Sequence, residues 1–275
     1  RAGSGEIRKA GMEFTWEEVA EHNTADSAWV ISNGKVYDIT DWLPRHPGGS
    51  EILLLAAGRD VTDLLPSYHP FALEHAEKAL ASYEIGKLVG RPEFVTYKPD
   101  SGFYKTLRER VGQYFAEEGL DPKDPTGMVV RMVPVFLGFW ATFWLMHQAD
   151  SFPLWARLGF AVLFGLFQAF PLLHSMHDAT HVALGHSETW WKWWGRVPME
   201  LMAGSSVVAW HSQHVVGHHV YTNVYLADPD MPAEGETMRV FVPRQFWVWT
   251  AKFQHVYMPL LYSLLAIKMR VDDVL

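Results

Sequence analysis

The chain has 275 residues, no cysteine, 14 histidines, 13 tryptophans and a formal net charge of −8. At about 100–200 residues per domain, the length suggests two domains. The missing cysteine excludes disulfides, thiolate nucleophiles, iron–sulfur clusters and Cys-ligated zinc, and the acidic balance gives no support to nucleic-acid binding.

That charge is unevenly spread. Residues 14–90 hold 12 acidic and 5 basic side chains, so nearly all the excess sits in one segment. The same segment reads as a small α+β unit. Thr15 and Glu18 form a capping box that opens a helix over Trp16–His22. Ala28–Ile31 and Lys35–Ile39 read as strands around the turn Ser32-Asn33-Gly34. The run Asp41-Trp-Leu-Pro-Arg-His46-Pro-Gly-Gly49 is a rigid turn with a histidine at its lip. A helix over Glu51–Ala57 and a short one over Val61–Leu65 lead to the second histidine, in Tyr68-His69-Pro70. Two histidines 23 residues apart, each before a proline and flanked by apolar helices, suit a clamp on both faces of a planar cofactor.

With these residues in view, 14–90 resembles a cytochrome b5 domain, His46-Pro47-Gly48-Gly49 and Gly58-Arg59-Asp60-Val61-Thr62 being the telling motifs. The resemblance implies haem b with His46 and His69 as its axial ligands. Two imidazoles leave no open position, so the iron is expected to carry electrons and not to bind dioxygen. The acidic surface would steer a basic electron donor, a NADH-cytochrome b5 reductase, towards it.

Residues 91–127 read as a linker with one amphipathic helix, Tyr104–Glu117. In 128–275 the character changes. Met132–Ala149 is 18 residues without a charge, and Phe152–Leu173 is 22 residues carrying only Arg157. Each approaches the roughly 20 residues a membrane-spanning helix needs. Asp150-Ser151 alone separates them, which predicts a tight hairpin. Lys105, Arg108, Arg110 and Arg131 precede it and Lys192 and Arg196 follow it, while its turn has none. Both ends are therefore expected on the cytosolic side, and Trp140, Trp144 and Trp155 near the turn suit an aromatic belt. A further uncharged stretch, Phe253–Ile267, is a candidate start of another span. No cleavable signal peptide opens the sequence. The expected fold is thus a small α+β domain followed by an all-α, multi-span membrane domain.

Eight of the 14 histidines lie within the 46 residues His174–His219. On regular α-helices, His174, His177 and His181 step i, i+3, i+7, and so do His211, His214 and His218. Each set would then form one stripe able to converge on a metal. Imidazole suits iron, copper, zinc and nickel. Zinc is redox-inert and needs no electron supply, so a redox metal beside a one-electron carrier points to reductive dioxygen activation on a membrane-dissolved substrate. His147, His186 and His255 are expected to be incidental.

These residues also resemble the membrane fatty-acyl desaturases of the front-end class, which carry an N-terminal cytochrome b5 domain. His177-Asp178-Ala-Thr-His181 matches the H-D-x-x-H box, His214-Val-Val-Gly-His218-His219 matches H-x-x-x-H-H, and Asp228-Pro-Asp230 follows. The likeness runs from Phe14 onward and looks closest to Δ5 desaturases of oomycetes and fungi. It implies two non-haem irons held by histidines of three boxes. Five ligands are expected here: His177, His181, His214, His218 and His219. His174, Asp178 and His211 are expected in the surrounding shell, with His174 or His211 a possible extra ligand. The Q-x-x-H-H box is absent, so the helical bundle is expected to be incomplete and the chain inactive as it stands. The implied reaction is a front-end cis-desaturation of a fatty-acyl chain in the endoplasmic reticulum membrane, with haem and histidines on the cytosolic side. Other readings stay open: Δ6 or Δ8 acyl or sphingolipid desaturation, acyl 2-hydroxylation, or a membrane-anchored electron-transfer module. Membrane lipid and the reductase are the expected partners, nucleic acid is not.

Overall fold

The computed structural model describes residues 11–90, 97–98, 100–232, 235–243 and 245–272. Residues 91–96 and 99 of the expected linker lie outside the described residues. Two compact units emerge, one built on residues up to Gly119 together with Val216–Met231, the other on Leu120–Val215 and the chain from Pro232.

The first unit begins with β1 (Met12–Phe14), α1 (Trp16–Glu21), β2 (Asn23–Thr24), β3 (Ser27–Ser32) and β4 (Lys35–Asp38). It continues with α2 (Ser50–Leu55), β5 (Arg59–Asp60), α3 (Leu64–Tyr68), α4 (Leu73–Ala81), β6 (Glu84–Leu88) and α5 (Phe103–Glu117). The capping box on α1 forms as expected: Thr15 N donates to Glu18 Oε2 at 2.7 Å and Glu18 N donates to Thr15 Oγ1 at 3.3 Å. The strands order as β1-β6-β4-β3-β2, with β5 on the flank of β3. β3 is buried on both faces. Ala28 and Val30 enter one core cluster, with Tyr37, Ile39, Leu43, Val61 and Leu64, while Trp29 and Ile31 enter another with Val19, Val36 and Ile85. This is the two-residue alternation of a strand sandwiched between layers.

One helix lies later than the expected Val61–Leu65: α3 spans Leu64–Tyr68. The cause is local. Asp60 Oδ1 accepts both the backbone N–H of Thr62, at 2.8 Å, and its hydroxyl, at 2.5 Å. This Asx turn competes with helix and delays its start. The shift brings His69 onto the C-terminal end of α3.

The second unit is helical. It opens with α6 (Thr126–Met146) and α7 (Leu154–Pro171), both long and apolar enough to cross a membrane. Their mutual contact is aromatic: Phe139 and Phe143 of α6 pack on Phe164 of α7 with ring centroids 4.8 and 5.7 Å apart. Gly138 leaves room for Phe167, whose ring a Cβ would meet at 2.5 Å. The side chains turned away from this seam are apolar yet exposed, Trp155 by 76%. After these come α8 (His177–Thr180), α9 (Glu188–Arg196), α10 (Val207–Trp210) and α11 (His219–Tyr221), interleaved with π-helical turns. The uncharged stretch from Phe253 does not form one long helix. It divides into α12 (Gln254–Tyr262), with Pro259 inside it, and α13 (Leu265–Asp272), each too short to span alone.

Gly86 of β6 faces Met12 of β1 in the parallel pair, where a Cβ would collide with the Met12 carbonyl and lie 2.7 Å from Phe14 Cε2. Gly86→Ala is therefore expected to cost about 1–3 kcal/mol by overpacking. Circular-dichroism melting should show the first unit unfolding lower by about 4–8 °C per kcal/mol, with the helical signal of the second unit unchanged.

Candidate haem pocket and metal centre

His46 and His69 follow two short helical segments, Leu43–Arg45 and α3, whose Leu43 and Leu64 are buried in the first core cluster. Their ring centroids are 6.3 Å apart. A metal about 2 Å from each of two facing nitrogens separates them by about 4 Å, and two ring radii account for the rest. His46 Nδ1 lies 3.1 Å from Gly49 O and His69 Nδ1 lies 2.9 Å from Leu65 O. A carbonyl only accepts, so each Nδ1 carries the proton and each Nε2 is the metal-binding atom.

The two glycines after His46 do different work. Gly49 caps α2 at φ +87°, a backbone region closed to most side chains. Gly48 gives clearance, since a Cβ there would approach His46 Cε1 to 2.9 Å. Tyr68 Oη is buried with no hydrogen-bond partner among the described residues, and burial pushes its phenol pKa up. An apolar cleft, two facing imidazoles and an unpaired hydroxyl beside one of them fit a haem.

In the second unit, His177, His181 and His214 come together. Ring centroids are 4.7 Å apart for His177 and His181, 5.1 Å for His177 and His214, and 5.6 Å for His181 and His214. Each offers a ring nitrogen, and these lie within 4.8 Å of one another. Asp178 Oδ1 lies 3.5 Å from His177 Nδ1, the long limit of a hydrogen bond. Trp210 stacks on His214 at 4.5 Å. Three imidazoles with no thiolate fit a borderline transition metal such as iron.

In the first unit, His218 Nδ1 lies 2.9 Å from Asp228 Oδ1 and 3.2 Å from Asp230 Oδ2. Asp228 is buried, and it also accepts the backbone N–H groups of Asn223, at 2.7 Å, and Asp230, at 2.9 Å. Burial alone would raise its pKa, but the His218 and backbone donors outweigh it and hold the carboxyl below its usual range. The anion fixes the proton of His218 on Nδ1 and leaves Nε2 the unprotonated ring nitrogen. Sequence reading noted Asp228 as part of a motif but gave it no role. No spacing rule predicts a pairing across a loop of ten residues.

The expected single-face stripes are not what forms. His174 is exposed and stacks on Phe170, while His211 is buried with Nε2 2.8 Å from Thr180 O and Nδ1 3.3 Å from Val207 O. With its proton on Nε2, His211 donates to Thr180 O and ties its helix to α8. The physical reason is helix pitch. Leu172–Met176, Val197–Met202 and His211–His218 are π-helical. Their i→i+5 repeat takes residues three and seven apart off a shared face. It also returns His219, five residues after His214 along the same run, to the side of the helix that carries His214. Pro171 immediately precedes the first π segment and Pro198 lies in the second, where a missing N–H breaks the α-helical ladder. His186 pairs with Asp121 at 2.8 Å and His147 with Phe143 O at 2.7 Å, both remote from these groups in chemistry.

Comparison with known proteins agrees with both halves. The profile of the cytochrome b5-like heme/steroid binding domain matches residues 15–89, and that of the fatty acid desaturase matches residues 153–272. The chain is 44% identical to acyl-lipid (8-3)-desaturase B of Dictyostelium discoideum, over 94% of this chain and 55% of that protein. It is 41% identical to Delta(5) fatty acid desaturase A of the same organism, over 96% of this chain and 56% of that protein. To the acyl-lipid (8-3)-desaturase of Mortierella alpina it is 36% identical, over 96% of this chain and 59% of that protein. The chain thus spans little more than half the length of these curated relatives. Along its sequence the chain carries a cytochrome b5-like domain followed by a fatty acid desaturase domain.

Proposed function

We propose that this chain forms the haem domain and the first two histidine boxes of a front-end acyl desaturase acting at Δ5. The convergence of His177, His181 and His214, in one polypeptide with the facing pair His46 and His69, carries this reading. The relatives named as Delta(5) and (8-3) desaturases support the regiochemistry. Within the whole protein, His46 and His69 hold haem b, and His177, His181, His214, His218 and His219 hold non-haem iron. Such cofactors supply single electrons and dioxygen activation for removing hydrogen from an unactivated methylene.

The rest is work for the chain's own side chains. Gly49 O and Leu65 O keep Nε2 of each haem-facing histidine as the donor atom. Asp228 does the same for His218. Trp210, stacked on His214, restricts that ring's rotation. His211, locked to Thr180 O, holds the helix bearing His214 against α8. A shift of about 1 Å decides which carbon is attacked, so such bracing is part of the selectivity. α6 and α7 form a membrane hairpin with both ends cytosolic, in the endoplasmic reticulum, as part of a multi-span domain. The substrate is a fatty-acyl chain, and a NADH-cytochrome b5 reductase docks on the acidic haem domain.

The reading is tested by expressing the open reading frame that contains this chain in yeast fed polyunsaturated acids. A new cis double bond at Δ5 is expected in the lipid profile. A hydroxylated acid, or a double bond at Δ6 or Δ8, would overturn it.

In the chain itself, His46→Ala and His69→Ala should each abolish the low-spin bis-imidazole spectrum seen in its absence of substitution, whereas His174→Ala should leave it intact. In the intact protein, Asp228→Asn is expected to weaken iron binding about 10–100-fold. Elemental iron counted against haem absorbance measures this, and an unchanged ratio would remove Asp228 from the site.

A further inference from the structure

α5, the fifteen-residue helix Phe103–Glu117, precedes the apolar hairpin. One side of it has an intramolecular partner. Phe115 meets Phe71 edge-to-face at 6.2 Å, and a Cβ on Gly112 would lie 3.3 Å from Phe71 Cδ1. A second side has none. Phe103, Tyr104, Leu107, Val111 and Tyr114 are all exposed, Phe103 by 74%. At about 100° per residue these five fall in an arc of roughly 100°, the width of a buried helix face. A face of that width, left in water, would cost several times the burial energy of one side chain.

We propose that this face of α5 lies in the lipid headgroup and upper acyl region of the membrane surface, so that α5 holds the haem domain at the bilayer. Charge placement selects lipid over another protein. At the same pitch Arg108 and Arg110 fall on the two borders of the apolar arc, and Arg108 lies 5.9 Å over the Tyr104 ring. Cationic side chains flanking an apolar arc reach headgroup phosphates while their stems stay in apolar surroundings. Chain continuity adds a second argument. Only residues 118–125 separate α5 from Thr126, where the first apolar helix begins. Eight residues extend at most about 3.3–3.6 Å each, so α5 is tethered close to wherever α6 enters the bilayer. An interfacial helix of this kind sinks its apolar face about 5–10 Å. The aromatic side chains Phe103, Tyr104 and Tyr114 are of the type that settles there. Phe115 and Gly112, about 20° and 80° past the Tyr104 edge of that arc at the same pitch, rest on Phe71, so a lipid face and a protein face adjoin on one helix.

The proposal rests on the membrane reading of α6 and α7, and the test reads the two separately. The chain lacks cysteine, so single cysteines can be labelled without background. Probes sensitive to environment are placed at Leu107, Val111 and Tyr114 on the apolar arc, and at Lys105, Glu109 and Gln113 outside it. One more is placed at Val162 of α7. All seven positions are exposed, so substitution there leaves packing untouched. The full chain is reconstituted in nanodiscs of phosphatidylcholine and phosphatidylserine, with nitroxide lipids labelled shallow or deep in the acyl chain. Shallow nitroxides are expected to quench the arc probes several-fold more than the other three on α5, and deep nitroxides to quench Val162. Arg108→Glu with Arg110→Glu is expected to lower shallow quenching on the arc. Equal weak quenching all round α5, with Val162 quenched, would overturn the proposal while leaving the hairpin in the membrane. Energy transfer between labels on two chains, in place of quenching, would make the occupant a second copy and also overturn it. If Val162 escapes deep quenching, the membrane reading fails and the proposal with it.

Discussion

An imidazole can offer a metal one nitrogen reliably only when the proton on its other nitrogen has a fixed acceptor. That constraint recurs through both parts of this chain. His46 and His69 give their Nδ1 protons to the backbone carbonyls of Gly49 and Leu65. His218 gives its proton to a buried aspartate. In the first case the acceptors are local, three or four residues away, so a turn and a short helix suffice. In the second the acceptor is ten residues away, beyond the helix end, and needs a loop folded back by Asn223 and Asp230 N–H groups on the same carboxylate. The difference explains why His46 and His69 are legible with their surroundings in the linear motif, while His218 is legible without its aspartate.

The haem domain was legible for a related reason. Its determinants are short-range: a capping box, a Ser-Asn-Gly turn, a proline–glycine run around a histidine, and strict alternation along β3. Each sets φ, ψ or a hydrogen bond within a few residues. Where reading slipped, at the start of α3, the error was also local, an Asx turn at Asp60 outcompeting the helix. Strand β1 and its parallel partner β6 went unread, because a pairing of residues 12–14 with 86–88 is set by the closing of the whole sheet and leaves no mark at either end.

The histidine clusters show the opposite behaviour. The residue types were informative, since eight histidines in a short span without thiolates select imidazole coordination. Their geometry was not, because the spacing argument assumed α-helical pitch. Prolines 171 and 198 were visible and signal a broken ladder, but the π-helix over His211–His218 contains no proline, and nothing in its sequence announces the wider turn. The change of pitch sorts the two apparent stripes into separate tasks. His177, His181 and His214 gather; His211 becomes a brace, His218 turns to Asp228, and His174 leaves for the surface.

The same helical run crosses from one unit to the other. From Val207 the helix continues through His218 to Tyr221, and its final part belongs to the first unit. Val220 packs against the core cluster that contains Leu64 and Tyr68, beside the second haem-facing histidine. The Tyr97 hydroxyl donates to the Val220 carbonyl at 2.5 Å. Tyr221 is half-buried near Asp60 and Asp63, and burial raises its phenol pKa. Residues more than 120 positions apart are thus joined by apolar contact and by the Tyr97–Val220 hydrogen bond. Contacts of that kind are insensitive to ionic strength, unlike interactions between exposed charges. The return of Val216–Met231 into the first unit therefore rests on burial and a neutral hydrogen bond, forces that salt leaves intact.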